Sequence, residues 1–294
     1  MLSKTSLFRS SFDTYCQNEE SLGDLHIALK KVFDSLADSL NANAVDASEF
    51  IRKSRPFYFE ESAHEDAEEY LRHLLNQLQA ESTSEISPSY ISETFEGCQS
   101  RASYCATCCE KIDRQEETFT SLILSLKQTE EGTLSIQDMV DSLYTESIEN
   151  TSKCEKCEGD DDGAYSRNVT ITFQKTPPCL LLNVKIFYYD ATTGSTEKNM
   201  SEFVVNDTII LKLGDGTERR YQLFGIVWHY GVLATSGHYV WECKMDDQWI
   251  MFDDEDVQIA NVTKIVPMAN LSPYILVYTS DEEYLPQRSP SRTI

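Results

Sequence analysis

The stretches Ser236-Gly237-His238-Tyr239 and Trp249-Ile250-Met251-Phe252-Asp253-Asp254 decide the fold of this chain. The first leads into a run with strand character, the second reads as a returning strand, and turn-forming residues lie between them, so the pattern predicts a hairpin. A tight turn at Met245-Asp246 would place His238 directly opposite Asp253, with Cβ atoms roughly 5 Å apart, within hydrogen-bonding reach. A histidine held by an acid is the base-and-orienter half of a nucleophilic triad. A surface hairpin with a polar end would explain the same residues. The choice between these two interpretations therefore depends on the rest of the chain.

The composition is that of a globular protein. The 294 residues are 40% hydrophobic and 25% charged, enough for one large domain or two small ones. The formal net charge of −24 argues against nucleic-acid binding and suits a partner with a basic face. Without a long apolar run or an apolar segment after Met1, we expect no transmembrane helix, no signal peptide and no membrane partner. The nine cysteines therefore predict reduced thiols or metal ligands in a cytoplasmic or nuclear protein.

The N-terminal third has the periodicity of helices. Apolar residues at three- and four-residue spacing predict one helix over 25–40 and another over 67–78. A short helix and turn, broken by Pro56, is expected between them. Residues 117–126 alternate as a strand does, and Ser135 with Asp138 forms a capping box ahead of a helix that is expected to reach Tyr144.

The C-terminal half is dominated by strand patterns. Beside the hairpin, strands are predicted at Val169–Phe173, Leu180–Phe187, Tyr221–Trp228 and Tyr274–Tyr278. Helices followed by strands indicate an α+β protein. The acidic run at 158–163 predicts an exposed loop, and the aperiodic residues 281–294 predict a disordered tail.

Four cysteines have the spacing of a metal site. Cys105-Ala106-Thr107-Cys108 and Cys154-Glu155-Lys156-Cys157 are two C-x-x-C knuckles at turns between strand-like segments. Two such knuckles can deliver four thiolates to one tetrahedral zinc ion at about 2.3 Å each. We therefore predict a structural Zn²⁺ bound by Cys105, Cys108, Cys154 and Cys157; four free thiols that have lost their metal are the alternative.

Helices, a split cysteine knuckle and a C-terminal His/Asp hairpin, in this order, resemble the catalytic domain of a ubiquitin-specific protease (ubiquitin carboxyl-terminal hydrolase, peptidase family C19). The motifs that carry the resemblance are His64-Glu65-Asp66-Ala67-Glu68-Glu69-Tyr70, Phe95-Glu96-Gly97 before the first knuckle, Pro178-Cys179-Leu180-Leu181-Leu182 with Lys185-Ile186-Phe187, and the histidine box made of Tyr221-Gln222-Leu223, His229-Tyr230-Gly231, Gly237-His238-Tyr239 and Trp249 to Val257. Ser54-Arg55-Pro56 ahead of Phe59 leans toward the subgroup of peptidases thirty-five and thirty-eight.

The resemblance implies a papain-like cysteine-protease fold in three parts. These are a helical thumb at 1–82, zinc-ribbon fingers at 91–165 and a β palm with the histidine box at 166–280. It also implies thiol-dependent hydrolysis of bonds to the C-terminal glycine of ubiquitin, with ubiquitin and ubiquitinated proteins as partners. A catalytically inactive ubiquitin-binding or scaffolding module is the alternative.

The resemblance assigns roles to five residues. His238 is the general base and Asp253 orients it, with Asp254 as the neighbouring candidate, because strand alternation lets only one of the two face the histidine. Asp66 and Glu69 resemble the positions that bind the basic C-terminal tail of ubiquitin; a solvated acidic helix face is the alternative.

The nucleophile of the family is not in register in this chain. It stands in an Asn-Thr-Cys-Tyr box at the head of the first helix, where the helix dipole lowers the thiol pKa. Thr5 to Arg9 resembles a segment that follows that box, so we expect the box upstream of Met1. Cys16 falls in the wrong register and is expected in an exposed loop.

Overall fold

The computed structural model describes residues 1–18, 22–37, 45–61, 63–82, 89–126, 133–151, 154, 156–157, 165–246, 248–260 and 270–280. The acidic run at 158–163 and the tail at 281–294 lie outside these residues, so the loop and the disorder predicted there stay predictions. The helices are α1 Ser6–Asn18, α2 Asp24–Ala37, α3 Ser48–Ser54, α4 Ala67–Ser82, α5 Tyr90–Phe95 and α6 Ile136–Asp141. None of these helices is long and apolar enough to cross a membrane.

Five helices at the N-terminal end form the thumb. Phe8 and Phe12 lie one turn apart in α1 and are fully buried, in one cluster with the apolar faces of α2, α4 and α5. The cluster continues onto one face of the large sheet through Leu181, Trp241 and Val277. Burial of this shared apolar area joins thumb and palm into one core.

The strands are β1 Gly97–Cys105, β2 Lys111–Phe119, β3 Ser121–Ser125, β4 Leu134–Ser135, β5 Thr145–Thr151, β6 Tyr165–Lys175, β7 Cys179–Lys185, β8 Phe187–Asp190, β9 Ser195–Lys198, β10 Phe203–Val204, β11 Thr208–Lys212, β12 Glu218–Tyr230, β13 His238–Met245, β14 Gln248–Asp253, β15 Asp256–Ile259 and β16 Leu271–Ser280. The palm sheet has the order β15-β14-β13-β12-β16-β7-β3, with β11 paired to β12. A second sheet, with the order β2-β1-β6-β5, forms the fingers.

Within the described residues the predicted helices occur where expected, and the capping box is present. Residues 38–40 of the helix predicted over 25–40 lie outside the described residues. The Ser135 side chain accepts from the Asp138 backbone N–H, the Asp138 carboxylate accepts from the Ser135 N–H, and α6 is continued by a 3-10 turn at Ser142–Tyr144. The strand predicted at Leu180–Phe187 is divided. It ends at Lys185, and the buried Ile186, whose N–H bonds to the carbonyl of Val184, directs the chain into the separate β8–β9 hairpin.

The α+β fold class is confirmed, because the N-terminal helices pack against one face of the palm sheet. The finger sheet extends through Lys175 at the end of β6, and α5 packs within the thumb core. The division of the chain at 1–82, 91–165 and 166–280 stays a prediction.

Candidate functional site

The hairpin of β13 and β14 carries the two residues of the predicted catalytic pair, in a different register from the one predicted. Trp241 pairs with Phe252 and Met245 with Gln248, so the next position along places Asp253 opposite Val240. The turn predicted at Met245-Asp246 is therefore wrong by one residue, because Asp246 takes a left-handed conformation with φ +47°, which aspartate tolerates in turns, and Met245 stays in the strand.

The pair nevertheless forms, across the diagonal of the hairpin. His238 Nε2 and Asp253 Oδ1 are 2.5 Å apart, since residues displaced by two positions on one face are within reach of longer side chains. The two side chains are 44% and 39% exposed. With Nε2 engaged by the carboxylate, Nδ1 is left to exchange a proton with a reacting group.

Asp254 lies beside this pair. It is exposed, has a left-handed φ of +50° and begins the turn into β15. One of its carboxylate oxygens lies within 4.8 Å of a ring nitrogen of His238 and of a carboxylate oxygen of Asp253. The geometry therefore gives the hydrogen bond to Asp253 and leaves Asp254 as a neighbouring negative charge.

A glycine-bounded loop at 231–237 connects β12 to His238. Gly231 has φ +121°, which favours glycine. A Cβ on Gly237 would collide with His229 Nε2, so only glycine lets the loop pack directly on that ring. His229 is fully buried among Phe187, Tyr239 and His64. Burial, and then the charge of Lys198, lower the pKa of His229 to about 4, so the ring is neutral at physiological pH.

Asp66 ties the start of α4 to the palm. Its Oδ1 accepts from the backbone N–H groups of Glu68 and Glu69 at 2.8 and 3.1 Å, which is the geometry of a helix N-cap. Its Oδ2 accepts from the Tyr274 hydroxyl at 2.5 Å. Glu69 lies in the first turn of α4 and is partly exposed. Burial, and then the nearby charge of Glu69, raise the pKa of Tyr58.

The four knuckle cysteines come together at the tip of the fingers. Cys105 Sγ is 3.6 Å from Cys157 Sγ, Cys108 Sγ is 3.7 Å from Cys154 Sγ, and all four sulfurs lie within 4.8 Å of one another. Tetrahedral zinc ligands at about 2.3 Å have sulfurs about 3.8 Å apart, so the cluster fits the ion. Backbone N–H groups of Cys108 and Thr107 lower the pKa of Cys105 to about 6, and the side chains of Cys108 and Cys105 raise the pKa of Cys157 to about 12. Four thiols this close do not all ionise without a cation between them.

From the sequence, Cys16 is expected in an exposed loop, and this expectation is wrong. Cys16 is in the last turns of α1 and half-buried, because α1 packs on the thumb core. Burial raises the pKa of its thiol to about 11, the opposite of an activated nucleophile. All nine cysteines lie in the described part of the chain, and within it none of them hydrogen-bonds to His238.

Two residues at the site carried no signal in the sequence. Lys198 resembles a surface residue in a polar run, whereas its amine is buried beneath the loop at 231–237. Tyr274 resembles an ordinary core residue of a strand, but it stacks on Tyr239 of the histidine box with ring centroids 5.9 Å apart, and Tyr239 in turn stacks on His64 with centroids 5.2 Å apart. Lys198 and Tyr274 were therefore missed, because they come from strands that are distant in sequence from His238.

A hydrogen-bonded histidine and aspartate on a sheet that packs against helices is the arrangement expected for the base half of a papain-like thiol hydrolase. The sequence profile of the ubiquitin carboxyl-terminal hydrolase family matches residues 1–278, and the chain belongs to this family.

The relatives and the solved structures agree with this assignment. Ubiquitin carboxyl-terminal hydrolase 13 of Saccharomyces cerevisiae is 24% identical over 291 residues, which cover 89% of this chain and 38% of the yeast protein. Ubiquitin carboxyl-terminal hydrolase 4 of Arabidopsis thaliana is 25% identical over 267 residues, covering 76% of this chain and 71% of the plant protein. The chain thus spans well under half of the yeast relative.

A likeness in structure accompanies the likeness in sequence. A chain of the SAGA Ubp8/Sgf11/Sus1/Sgf73 DUB module bound to ubiquitin aldehyde superposes with a TM-score of 0.73 at 20% identity, covering 96% of this chain and 66% of that chain. At this identity the match shows the fold.

Proposed function

We propose that this chain supplies the base and the orienting acid of a cysteine-type deubiquitinase, and that its loop at 231–237 shapes the channel for the C-terminal tail of ubiquitin. In this function a thiolate attacks the carbonyl of ubiquitin's C-terminal glycine, the acyl-enzyme forms as the C–N bond breaks, and the histidine passes its proton to the leaving amine. Water then hydrolyses the acyl-enzyme. His238 Nδ1 is the proton carrier and Asp253 holds the ring.

The observation that carries the proposal is the His238–Asp253 hydrogen bond beside the loop at 231–237. Each part has an ordinary structural explanation alone, whereas the pair, the loop and the acids at the start of α4 together match one reaction. Asp254 has the supporting role of a second negative charge close to the pair. None of the nine cysteines, all of which lie in the described residues, hydrogen-bonds to His238, so we propose that the thiol comes from a Cys box outside these 294 residues.

The same function assigns a ligand to the start of α4. We propose that Glu69 and Asp66 attract the basic C-terminal tail of ubiquitin. Both oxygens of Asp66 already accept hydrogen bonds, so it acts mainly by its charge and by fixing the helix end, and Glu69 makes the more direct contact.

The cysteine cluster is proposed to hold one structural zinc ion. Four protein ligands would close the coordination shell, so the ion would support the fingers and take no part in hydrolysis. Reduced thiols and a metal site of this kind suit a cytoplasmic or nuclear protein.

A catalytically inactive ubiquitin-binding scaffold is the second candidate. It is favoured by the absence of a thiol in reach of His238 among the described residues. Such a module would keep the channel and the finger surface and would bind ubiquitinated proteins without cleaving them.

The deciding experiment uses ubiquitin whose C-terminus carries a thiol-reactive group. Residues 1–294 are compared with an extended form in which the family's Cys box precedes them. We expect the extended form to be labelled and the shorter chain not. Labelling should vanish when the box cysteine is replaced and fall by about 10²- to 10⁴-fold in His238→Ala, because general-base catalysis contributes that factor.

Two outcomes would contradict the proposal. If the extended form binds ubiquitin but stays unlabelled, the scaffold function replaces the enzyme. Labelling of residues 1–294 that disappears in Cys16→Ala would show that the thiol was assigned wrongly.

The tail contact is tested by binding alone. Glu69→Gln should weaken binding of intact ubiquitin several-fold and leave binding of ubiquitin lacking its C-terminal tail unchanged. Glu93→Gln, an exposed acid on α5 of the same thumb, is the matched control and should change neither. If both variants weaken binding of intact ubiquitin equally, Glu69 does not contact the tail.

A further inference from the structure

The amine of Lys198 is buried beneath the loop that leads to His238. Lys198 ends β9 and is 8% exposed. Its Nζ lies 3.0 Å from His229 Nδ1, 3.0 Å from the His229 carbonyl oxygen and 2.8 Å from the Gly231 carbonyl oxygen. The three contacts join one lysine to the last residues of β12 and to the first residue of the loop.

These contacts determine the tautomer of His229. An ammonium group has three donors and no acceptor, and here all three donors are used. His229 Nδ1 must therefore accept, so the neutral ring carries its proton on Nε2. That nitrogen is buried without a hydrogen-bond partner among the described residues and faces Gly237.

A second residue of β9 also contacts the loop. Glu197 forms an antiparallel bridge with Leu233, so the backbone of β9 runs beside the loop that Lys198 holds from below. At the other side, the N–H of Gly231 donates to the carbonyl of Asn270 at 2.8 Å. The loop is thus fixed at its start, while Gly237 at its end rests on the His229 ring directly before His238.

Placing an ammonium here is costly. All three of its acceptors are uncharged, and burying a charge without a counter-ion destabilises a protein even when hydrogen bonds are formed. Burial lowers the pKa of Lys198 to about 8. An uncharged donor would hold the loop at a lower cost in folding free energy. The ammonium group donates to both carbonyl oxygens and to His229 Nδ1 at once, so it also fixes the tautomer of the histidine.

We propose that Lys198 is a positioning residue, which fixes the Nε2–H tautomer of His229 and the path of the loop at 231–237, and so sets the position of His238 and the width of the adjacent channel. The positioning of His229 and the loop stands on the contacts alone, and its consequence for ubiquitin rests on the proposed function.

The primary test observes His229 directly. Nitrogen NMR of the histidine rings should show wild-type His229 protonated on Nε2 only. In Lys198→Met, which keeps the side-chain length and removes all donors, we expect signals of both tautomers. Amide exchange in the loop should accelerate by about 3- to 10-fold, the factor that corresponds to one typical hydrogen bond.

Lys185→Met is the matched control. Lys185 is an exposed lysine at the end of β7, so it loses the same charge without a buried contact, and neither measurement should change. A Lys198→Met protein with the wild-type tautomer and wild-type loop exchange would overturn the proposal.

A second measurement uses the wild-type protein, so it does not depend on whether Lys198→Met folds. In the wild-type protein the His229 Nδ1 signal should shift with a midpoint near pH 8, as Lys198 loses its proton, well below the ordinary lysine value of about 10.4. His64 and Asp66 are the other charged or titratable neighbours that affect His229, so the midpoint should persist in His64→Gln and in Asp66→Asn. An Nδ1 signal that does not change between about pH 7 and pH 10 would show that the amine does not contact the ring.

The failure of the two proposals can be told apart. The NMR and exchange measurements do not involve ubiquitin. If they change as expected while wild-type protein fails to bind ubiquitin, the positioning role stands and the proposed function falls. If wild-type protein binds ubiquitin and Lys198→Met leaves tautomer and loop unchanged, the positioning role falls alone.

Discussion

At the scale of single residues, the hydrogen bond between His238 and Asp253 fixes which ring nitrogen is free. The carboxylate takes Nε2, so the ring presents Nδ1 on its other side. Asp254 is adjacent in sequence and yet differs in role, because its left-handed backbone begins a turn and carries its carboxylate out of the strand. One residue of difference along a strand end therefore separates the acid that hydrogen-bonds to the ring from an acid that is only a nearby charge.

This difference gives a prediction. Asp253→Asn should release the His238 ring, and the hydrogen-bonded Nε2–H signal should broaden or disappear from proton–nitrogen spectra, whereas Asp254→Asn should leave it in place. In a form of the protein that carries a Cys box, Asp253→Asn should lower kcat/KM by about 10²-fold or more, because the general base loses its orientation. Equal loss of the signal in both variants would contradict the assignment.

At the scale of elements, the finger sheet depends on its tip. β1 ends at Cys105, and β5 and β6 are connected through the segment that contains Cys154 and Cys157. The strand β2 is mostly exposed, so this sheet buries little apolar area of its own. A metal ion that joins the two knuckles would then contribute directly to folding, because the binding site does not exist in the unfolded chain.

We therefore expect close to one zinc ion per purified chain. Cys154→Ser should abolish tight binding, and amides of β1, β5 and β6 should exchange faster while those of β12 and β16 in the palm stay protected. Cys109→Ser, next to the cluster and exposed, is the control that should retain the ion. A metal-free protein whose finger amides exchange as slowly as those of the zinc-bound protein would contradict the structural role of zinc.

At the scale of the whole molecule, the net charge of −24 creates a field that attracts basic partners. Such a field raises association rates more than it lowers dissociation rates, and salt screens it. The acids at the start of α4 lie within this field. The overall charge therefore supports the local contacts proposed for the ubiquitin tail.

This leads to a kinetic prediction. The association rate constant for ubiquitin should fall several-fold between about 50 and about 500 mM salt, as the screening length drops from above about 10 Å to below about 5 Å. The dissociation rate should change much less. An association rate that does not depend on salt would show that the acidic charge plays no part in recognition.

The sequence by itself determined the local features of this protein. The periodicity of α2 and α4, the capping box at Ser135 and Asp138, the C-x-x-C knuckles and the existence of the hairpin were all predicted, because each depends on residues close together in the chain. The first helix was not predicted, because its apolar face consists of little more than Phe8 and Phe12 among polar residues.

Only the tertiary structure decided which side chains meet. The hairpin register differed from the predicted one because a single turn residue changed the pairing, and Asp66 meets the hydroxyl of Tyr274 across 208 positions of sequence. In the sequence Lys198 resembles a surface residue, whereas in the structure the loop at 231–237 covers its amine. Hydrogen bonds between distant elements depend on how strands align and which faces pack, and a periodic pattern records that a residue is buried without recording its partner.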